Sequence, residues 1–186
     1  NTFSKAVSVV ICGFNEEKYW ENLVNKLLEQ DYPNFEIVLV NDQSTDNTMF
    51  LFKQWENHPK IKLVDIPESI KKGLGKKFAL SLGIKAAKYD YLLLTDADCY
   101  PKDASWISSM VQYFATKDIV LGYGAYEKRP GFLNKLIRFD TFQVAIQYFS
   151  YALMGKAYMG VGRNLAYKKE LFFENKGFAS HLHLPS

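Results

Sequence analysis

Cysteine is scarce: Cys12 and Cys99 are the only two in 186 residues. A pair so sparse and so far apart argues against a disulfide framework and for a reducing compartment, expected to be the cytoplasm or the cytoplasmic face of a membrane. Net charge is small as well, since 23 basic and 20 acidic side chains leave +3. That surplus does not point to nucleic acid as a partner. The longest stretch without a charge is Thr141 to Gly155, short of the roughly 20 apolar residues that a spanning helix needs. Neither a Gly-x-x-x-x-Gly-Lys-Ser/Thr loop nor a Gly-x-Gly-x-x-Gly turn after the first apolar run occurs, which argues against P-loop and ordinary dinucleotide folds. Gly-x-Ser-x-Gly is missing too, so serine-nucleophile chemistry lacks support. His58, His181 and His183 are scattered; no cysteine or third histidine stands beside the last two, which read as tail residues rather than metal ligands. There is no starting Met and no secretory leader, and the chain stops in His181-Leu182-His183-Leu184-Pro185-Ser186. The expectation is a piece of a longer protein.

What is present is globular. Hydrophobic residues make up 48% and charged residues 23%, enough for a core in one domain at ~150 residues per domain. Aromatics reach 16%, which suits a core, a sugar-binding cleft or a membrane-facing surface. Short β-branched or aliphatic runs at Val7–Ile11, Ile37–Val40, Ile61–Ile66, Tyr91–Thr95 and Ile119–Tyr126 read as strands. Between them, 16–30, 44–55, 76–88 and 104–116 read as helices. Ser44, Thr45 and Asp46 are the candidate caps of the second, with Ser44 or Thr45 favoured. Such alternation predicts an α/β fold, a mostly parallel sheet covered on both faces. Phe132–Met154 reads as a long helix, apolar nearly all round in its second half. It is expected to pack across the sheet rather than lie on a membrane, because no basic face accompanies it. Gly160-Val161-Gly162 reads as a loop, 165–167 as a further strand and 168–174 as a short helix.

Ligands in parallel sheets bind outside the carboxyl ends of the strands. Three polar clusters fall there: Asn15-Glu16, Asn41-Asp42, and Asp96 with Asp98. Two carboxylates one residue apart on a loop can face one cation, and hard oxygen ligands suit Mg²⁺ or Mn²⁺ bound to phosphate oxygens. Asp42 can accept a hydrogen bond from a base N–H, while its neighbours cap the next helix. Gly73-Leu74-Gly75-Lys76-Lys77 opens a helix, where free N–H groups and ammonium groups could meet phosphate or simply be solvated.

Taken together, these segments resemble the family 2 glycosyltransferases, which have the GT-A fold. Val7 to Glu17 is similar to the family's opening strand and its Pro-x-Tyr-Asn-Glu turn, with Cys12 and Phe14 where proline and tyrosine are usual. Phe35 to Asp46 resembles the second strand and its Val-Asp-Asp-Gly-Ser-Thr-Asp signature, from which Asn41 and Gln43 depart. Gly75 to Ala87 is similar to a Gly-Lys-x-x-Ala-Leu helix, Asp96-Ala97-Asp98 to the Asp-x-Asp metal motif, and Gly162-Arg163-Asn164 through Phe178 to the segment before the catalytic acid.

The resemblance implies a nucleotide-diphosphate donor, usually UDP-linked, held by Gly13, Phe14, Asn15, Glu16, Asp42, Lys76 and Asp96. It implies Mn²⁺ or Mg²⁺ on Asp98 and Asp96, and inverting transfer to a glycan or lipid-linked acceptor. Gly162, Arg163 and Asn164 would form an acceptor or donor loop. Residues 1–130 would be the donor half and 131–186 the start of the acceptor half, in a protein that flanking helices could anchor to a membrane. The general base is expected beyond Ser186, because 178–186 carries no Asp or Glu; ~30 downstream residues without an acidic cluster would overturn that. Two alternatives stand beside this reading. One is a catalytically inactive nucleotide-sugar-binding module. The other is a sugar-1-phosphate nucleotidyltransferase, which would need a Gly-rich, Arg-bearing loop that Cys12-Gly13-Phe14-Asn15 does not supply.

Overall fold

A computed structural model describes residues 4–67, 70 and 75–178. Its element order is β1 (Val7–Gly13), α1 (Glu17–Leu28), β2 (Phe35–Asn41), α2 (Thr48–Gln54), β3 (Ile61–Asp65), α3 (Gly75–Ala86), β4 (Tyr91–Asp96), α4 (Trp106–Val111), β5 (Ile119–Leu121), α5 (Phe132–Leu153), β6 (Leu165–Lys168) and α6 (Lys169–Glu174). The six strands form one sheet in the order β3-β2-β1-β4-β6-β5. β1, β2, β3 and β4 pair in parallel, while β6 runs antiparallel to both β4 and β5. This is the expected mostly parallel α/β sheet.

Chain alternation explains how both faces are covered. Val7, Val9 and Ile11 of β1 join Trp20, Leu23 and Leu27 of α1, Phe52 of α2 and Ile107 of α4 on one side. Val10 and Cys12 join Ala79 and Ile84 of α3 and Phe172 of α6 on the other. Successive side chains of a strand point to opposite faces, so a strand buried on both sides must be apolar without interruption. Ser8 is the polar exception in β1, and its hydroxyl donates to Glu36 at 2.6 Å.

The covered sheet also explains a correction. The long helix α5 does not pack across it. Only Ala145 and Tyr148 of α5 are buried, whereas Phe132 and Leu153 are 81% and 89% exposed. A segment apolar nearly all round singles out no face, and the sheet has no bare face left for it. None of the described helices is long and apolar enough to cross a membrane. The strand β5 is also shorter than expected, because beyond Leu121 the chain leaves the ladder and runs irregularly along the turn at Gly162–Asn164.

A second correction concerns helix capping. Ser44 and Thr45 do not cap α2, because Asn15 engages both: its backbone N–H donates to Ser44 Oγ at 2.9 Å, and its Oδ1 accepts from Thr45 N–H at 2.7 Å. The N-cap positions are Asn47 in α2 and Glu16 in α1, neither of which bonds through its side chain, and Asp46 stands in for both. Its Oδ1 accepts from Thr48 N–H and its Oδ2 from Glu17 N–H, both at 3.0 Å. Asp46→Ala therefore removes a cap from α1 and from α2, and is expected to cost about 2 kcal/mol at about 1 kcal/mol per cap, read as a lower urea midpoint. Burial pushes the Asp46 carboxyl up, but hydrogen bonds from Thr48 and Glu17 outweigh it and hold it below the ordinary value. A depressed folded-state pKa gives stabilisation that is complete above the unfolded value of about 3.9 and lost as pH falls through the folded one. The deficit of Asp46→Ala should accordingly shrink in acid below that value.

Candidate functional site

The sheet order sets the place of the site. From β1 the chain steps outward to β2 and β3, then returns to the other side of β1 as β4. A crevice opens at the carboxyl ends where the order reverses. In register, Cys12 lies beside Asp96 and Gly13 beside Asn41, so the ends of β1, β2 and β4 meet at one point.

A cavity of about 310 Å³ sits there, lined by Cys12, Gly13, Phe14, Glu16, Asp42, Lys76, Asp96, Ala97 and Asp98. Seven of the residues named from sequence (Gly13, Phe14, Glu16, Asp42, Lys76, Asp96 and Asp98) are thus brought together. Asn15 is not among the lining. It adopts the left-handed region at φ 55°, which asparagine tolerates, and it ties the β1 loop to Ser44, Thr45 and Asp46. Asn41 is a second tie: it donates to Asp65 at 2.8 Å and accepts from Ser44 N–H at 3.1 Å. Asp42 is buried, and its N–H donates to the Gly13 carbonyl at 2.9 Å.

Charge in the cavity is mostly negative. Burial first, then the Asp98 charge, pushes the Glu16 carboxyl above its usual range. Lys76 Nζ meets Asp96 Oδ1 at 2.6 Å, both half-exposed. Burial lowers the Lys76 ammonium pKa, but the hydrogen bond and charge of Asp96 more than restore it and raise it overall. Asp96, Asp98 and Cys99 can each present one ligand atom, all within 4.8 Å of one another. Burial and the Asp98 charge push the Cys99 thiol up to about 12, so the carboxylate oxygens dominate this donor set. Such a set fits a hard divalent cation.

Gly162, Arg163 and Asn164 form a short 3₁₀ turn outside this cavity. Asn164 Oδ1 accepts from Trp106 Nε1 at 3.1 Å, and its Nδ2 donates to the Tyr123 carbonyl at 3.2 Å. Arg163 lines a second cavity with Tyr123, Tyr126, Asp140 and Tyr148. These aromatic and acidic partners were not singled out from sequence. The one available signal was Gly122-Tyr123-Gly124, where the glycines let the chain pass close to Asn164 and Arg163: a Cβ at Gly122 would lie 2.3 Å from Asn164 Nδ2. His181, His183, Gly73 and Leu74 lie outside the described residues.

Known proteins resemble this chain in sequence and in fold. The sequence model described as "Glycosyl transferase family 2" matches residues 8–174. An uncharacterized glycosyltransferase of Haemophilus influenzae is 33% identical over 121 residues, which is 64% of this chain and 36% of that protein. The dolichyl N-acetyl-alpha-D-glucosaminyl phosphate 3-beta-D-2,3-diacetamido-2,3-dideoxy-beta-D-glucuronosyltransferase of Methanococcus voltae is 28% identical over 174 residues, 91% of this chain and 50% of that protein. Among solved structures, a mannosyltransferase from Pyrobaculum calidifontis, in complex with GDP-Man and Mn²⁺, superposes with a TM-score of 0.68 at 26% identity, covering 97% of this chain and 49% of the other. TarS of Staphylococcus aureus in complex with UDP-GlcNAc follows at 0.66 and 21% identity, over 92% and 48%. The chain thus spans half or less of the length of these relatives. The sheet, its order and these likenesses are those of the GT-A fold. A family model matched over nearly the whole described length, on that fold, means that the chain belongs to glycosyl transferase family 2.

Proposed function

We propose that this chain is the donor-binding part of an inverting, metal-assisted glycosyltransferase. It takes a sugar from a nucleotide-diphosphate donor, UDP-linked, and delivers it to a glycan or lipid-linked acceptor at the cytoplasmic side. The observation that carries this reading is the single cavity in which Asp42, Lys76, Asp96 and Asp98 converge. The family membership, the GDP-Man and Mn²⁺ of the Pyrobaculum relative and the UDP-GlcNAc of TarS support it. The dolichyl-linked substrate in the name of the Methanococcus relative supports a lipid-linked acceptor.

Each residue has a distinct task in this reading. Asp42, buried at the end of β2, accepts a hydrogen bond from the base and selects uracil. Phe14, 56% exposed at the cavity rim, offers a ring face to the base. Asp96 and Asp98 would hold Mn²⁺ or Mg²⁺, which when bound neutralises charge developing on the leaving diphosphate. Lys76 is paired with Asp96 at 2.6 Å. In the same cavity as these carboxylates, its ammonium would meet a phosphate oxygen of the donor.

Calorimetric titration with UDP, with and without Mn²⁺, tests this reading. Binding is expected to weaken at least tenfold without the metal. Asp42→Ala is expected to weaken UDP about tenfold, the usual effect of losing a hydrogen bond to a charged group, and to abolish preference for UDP over CDP. UDP affinity indifferent to both metal and Asp42 would overturn the assignment.

A further inference from the structure

The helix α5 is built inside out. Asn134, Arg138, Thr141, Ala145 and Tyr148 recur at intervals of three and four residues, which places them on one face. That face meets the body of the protein: Ala145 and Tyr148 are buried, and the other three are partly covered. Asn134 Nδ2 donates to the Glu127 carbonyl at 3.1 Å, and the Tyr148 hydroxyl donates to the Gly122 carbonyl at 3.4 Å. The opposite row, Phe132, Leu136, Phe139, Ile146 and Leu153, keeps the same spacing and is exposed throughout. Gln143 and Ser150 are its only polar members. Polar and small side chains thus predominate toward the protein, and large apolar ones point away from it. Single exposed apolar residues are ordinary. A stripe along a helix of 22 residues, ~33 Å at 1.5 Å per residue, marks a surface that something covers.

Charge indicates what covers it. Residues 127–156 hold five basic and two acidic side chains, so the rest of the chain holds 18 of each sign. The whole positive surplus is gathered around this one helix. Lys128 and Arg129 stand before its first turn, Lys156 stands after its last, and Lys135 lies on its flank, all exposed. They form no basic face, because they sit at the ends and the side of the apolar stripe. Asn134 Oδ1 accepts from Arg129 N–H at 2.9 Å, which folds the first basic pair back onto the helix start. Glu127 is already engaged by Arg129 at 2.9 Å, and Asp140 is the one carboxylate on α5. Cations at both ends of an apolar stripe suit anionic headgroups, with the stripe sunk ~5–10 Å to the acyl boundary. A second copy suits them poorly. Paired antiparallel, Lys128 and Arg129 would meet the other copy's Lys156; paired parallel, they would meet themselves. The helix lies on a bilayer rather than through it, since none of the described helices is long and apolar enough to cross.

We infer that the outward face of α5 docks on an anionic phospholipid surface. The inference stands without the donor reading, which UDP titration judges separately. The test is tryptophan quenching in the full-length protein. Bilayers of phosphatidylcholine carry bromine on the acyl chains, with and without about one-third phosphatidylglycerol. Phe139→Trp puts the probe in the middle of the stripe, and Phe50→Trp puts it at an exposed position of α2 as the control. Brominated lipid should quench the first about twofold or more and leave the second unchanged. Quenching of the first should be stronger with the anionic lipid. Lys128→Gln, Arg129→Gln and Lys156→Gln lie outside the donor cavity. Together they should abolish the preference for anionic lipid while UDP–Mn²⁺ affinity stays within about twofold. Equal quenching of both probes, or quenching of neither, would overturn the inference. So would a Phe139→Trp probe shielded from solvent before lipid is added. Shielding that depends on protein concentration would then mean a second copy, and shielding that does not would mean another segment of the same protein.

Discussion

Asp98→Asn is expected to leave the chain folded and to reduce metal-dependent turnover by the full-length protein about 10²–10³-fold, or about 3–4 kcal/mol of transition-state stabilisation. The substitution keeps the shape of the side chain and removes one negative charge from an exposed position at the mouth of the donor cavity. It touches no core contact. Its neighbour is Cys99, whose thiol donates to Asp98 Oδ1 at 3.4 Å. Stability should hold or rise slightly, because the Asp98 charge raises the Glu16 carboxyl and opposes that of Asp96 nearby. The opposite signs of these two effects make the test sharp, as a site that concentrates like charge for function does so at the expense of stability. Melting curves and UDP titrations at fixed Mn²⁺ measure both. A variant that binds UDP and turns over like the parent at every Mn²⁺ concentration would remove Asp98 from the metal site.

The strands and the convergence at their ends were legible in the sequence because both follow from local rules. Val7–Ile11 and Ile37–Val40 are apolar without alternation, as a strand buried on both faces must be. Polar residues directly after such runs therefore had to lie at carboxyl ends. What the sequence hid were choices that depend on tertiary partners. Ser44, Thr45 and Asp46 are all good capping residues, and which one caps depended on Asn15, 29 to 31 positions away. The resemblance places Asn15 with the donor residues, and its side chain is engaged by Thr45 and Asp46 of the α2 loop, a contact that no local pattern announces. The helix α5 was legible as a helix but not in its surroundings. Beyond Gly122-Tyr123-Gly124, no local pattern announces the cavity at Tyr126 and Asp140, whose lining comes from three separated segments.

Gly13→Ala is expected to damage stability and site together. A Cβ built on Gly13 would lie 2.4 Å from Trp20 Cζ2 and 3.1 Å from the Ala97 Cβ. The indole has little room to retreat: Trp20 is fully buried, and its ring packs edge-on against Phe52 with centroids 5.0 Å apart. Either the β1 end or the Trp20 ring must shift, at about 1–3 kcal/mol for such overpacking. The melting point should fall by roughly 2–4 °C for each kcal/mol lost. A shift of the strand end would also reach the cavity, since the Gly13 carbonyl holds Asp42 N–H at 2.9 Å and Ala97 separates Asp96 from Asp98. Misplacement by about 1 Å can cost 10²-fold in a reaction that depends on orientation, so UDP affinity and turnover should fall with the melting point. Trp20→Phe supplies the decisive control, because a smaller ring makes room for the added methyl. The double variant should lose less than the sum of the two single variants, with a coupling of about 1 kcal/mol, as expected for residues in direct contact. Strict additivity would mean that the methyl is accommodated elsewhere and that Trp20 is not what reserves this position for glycine.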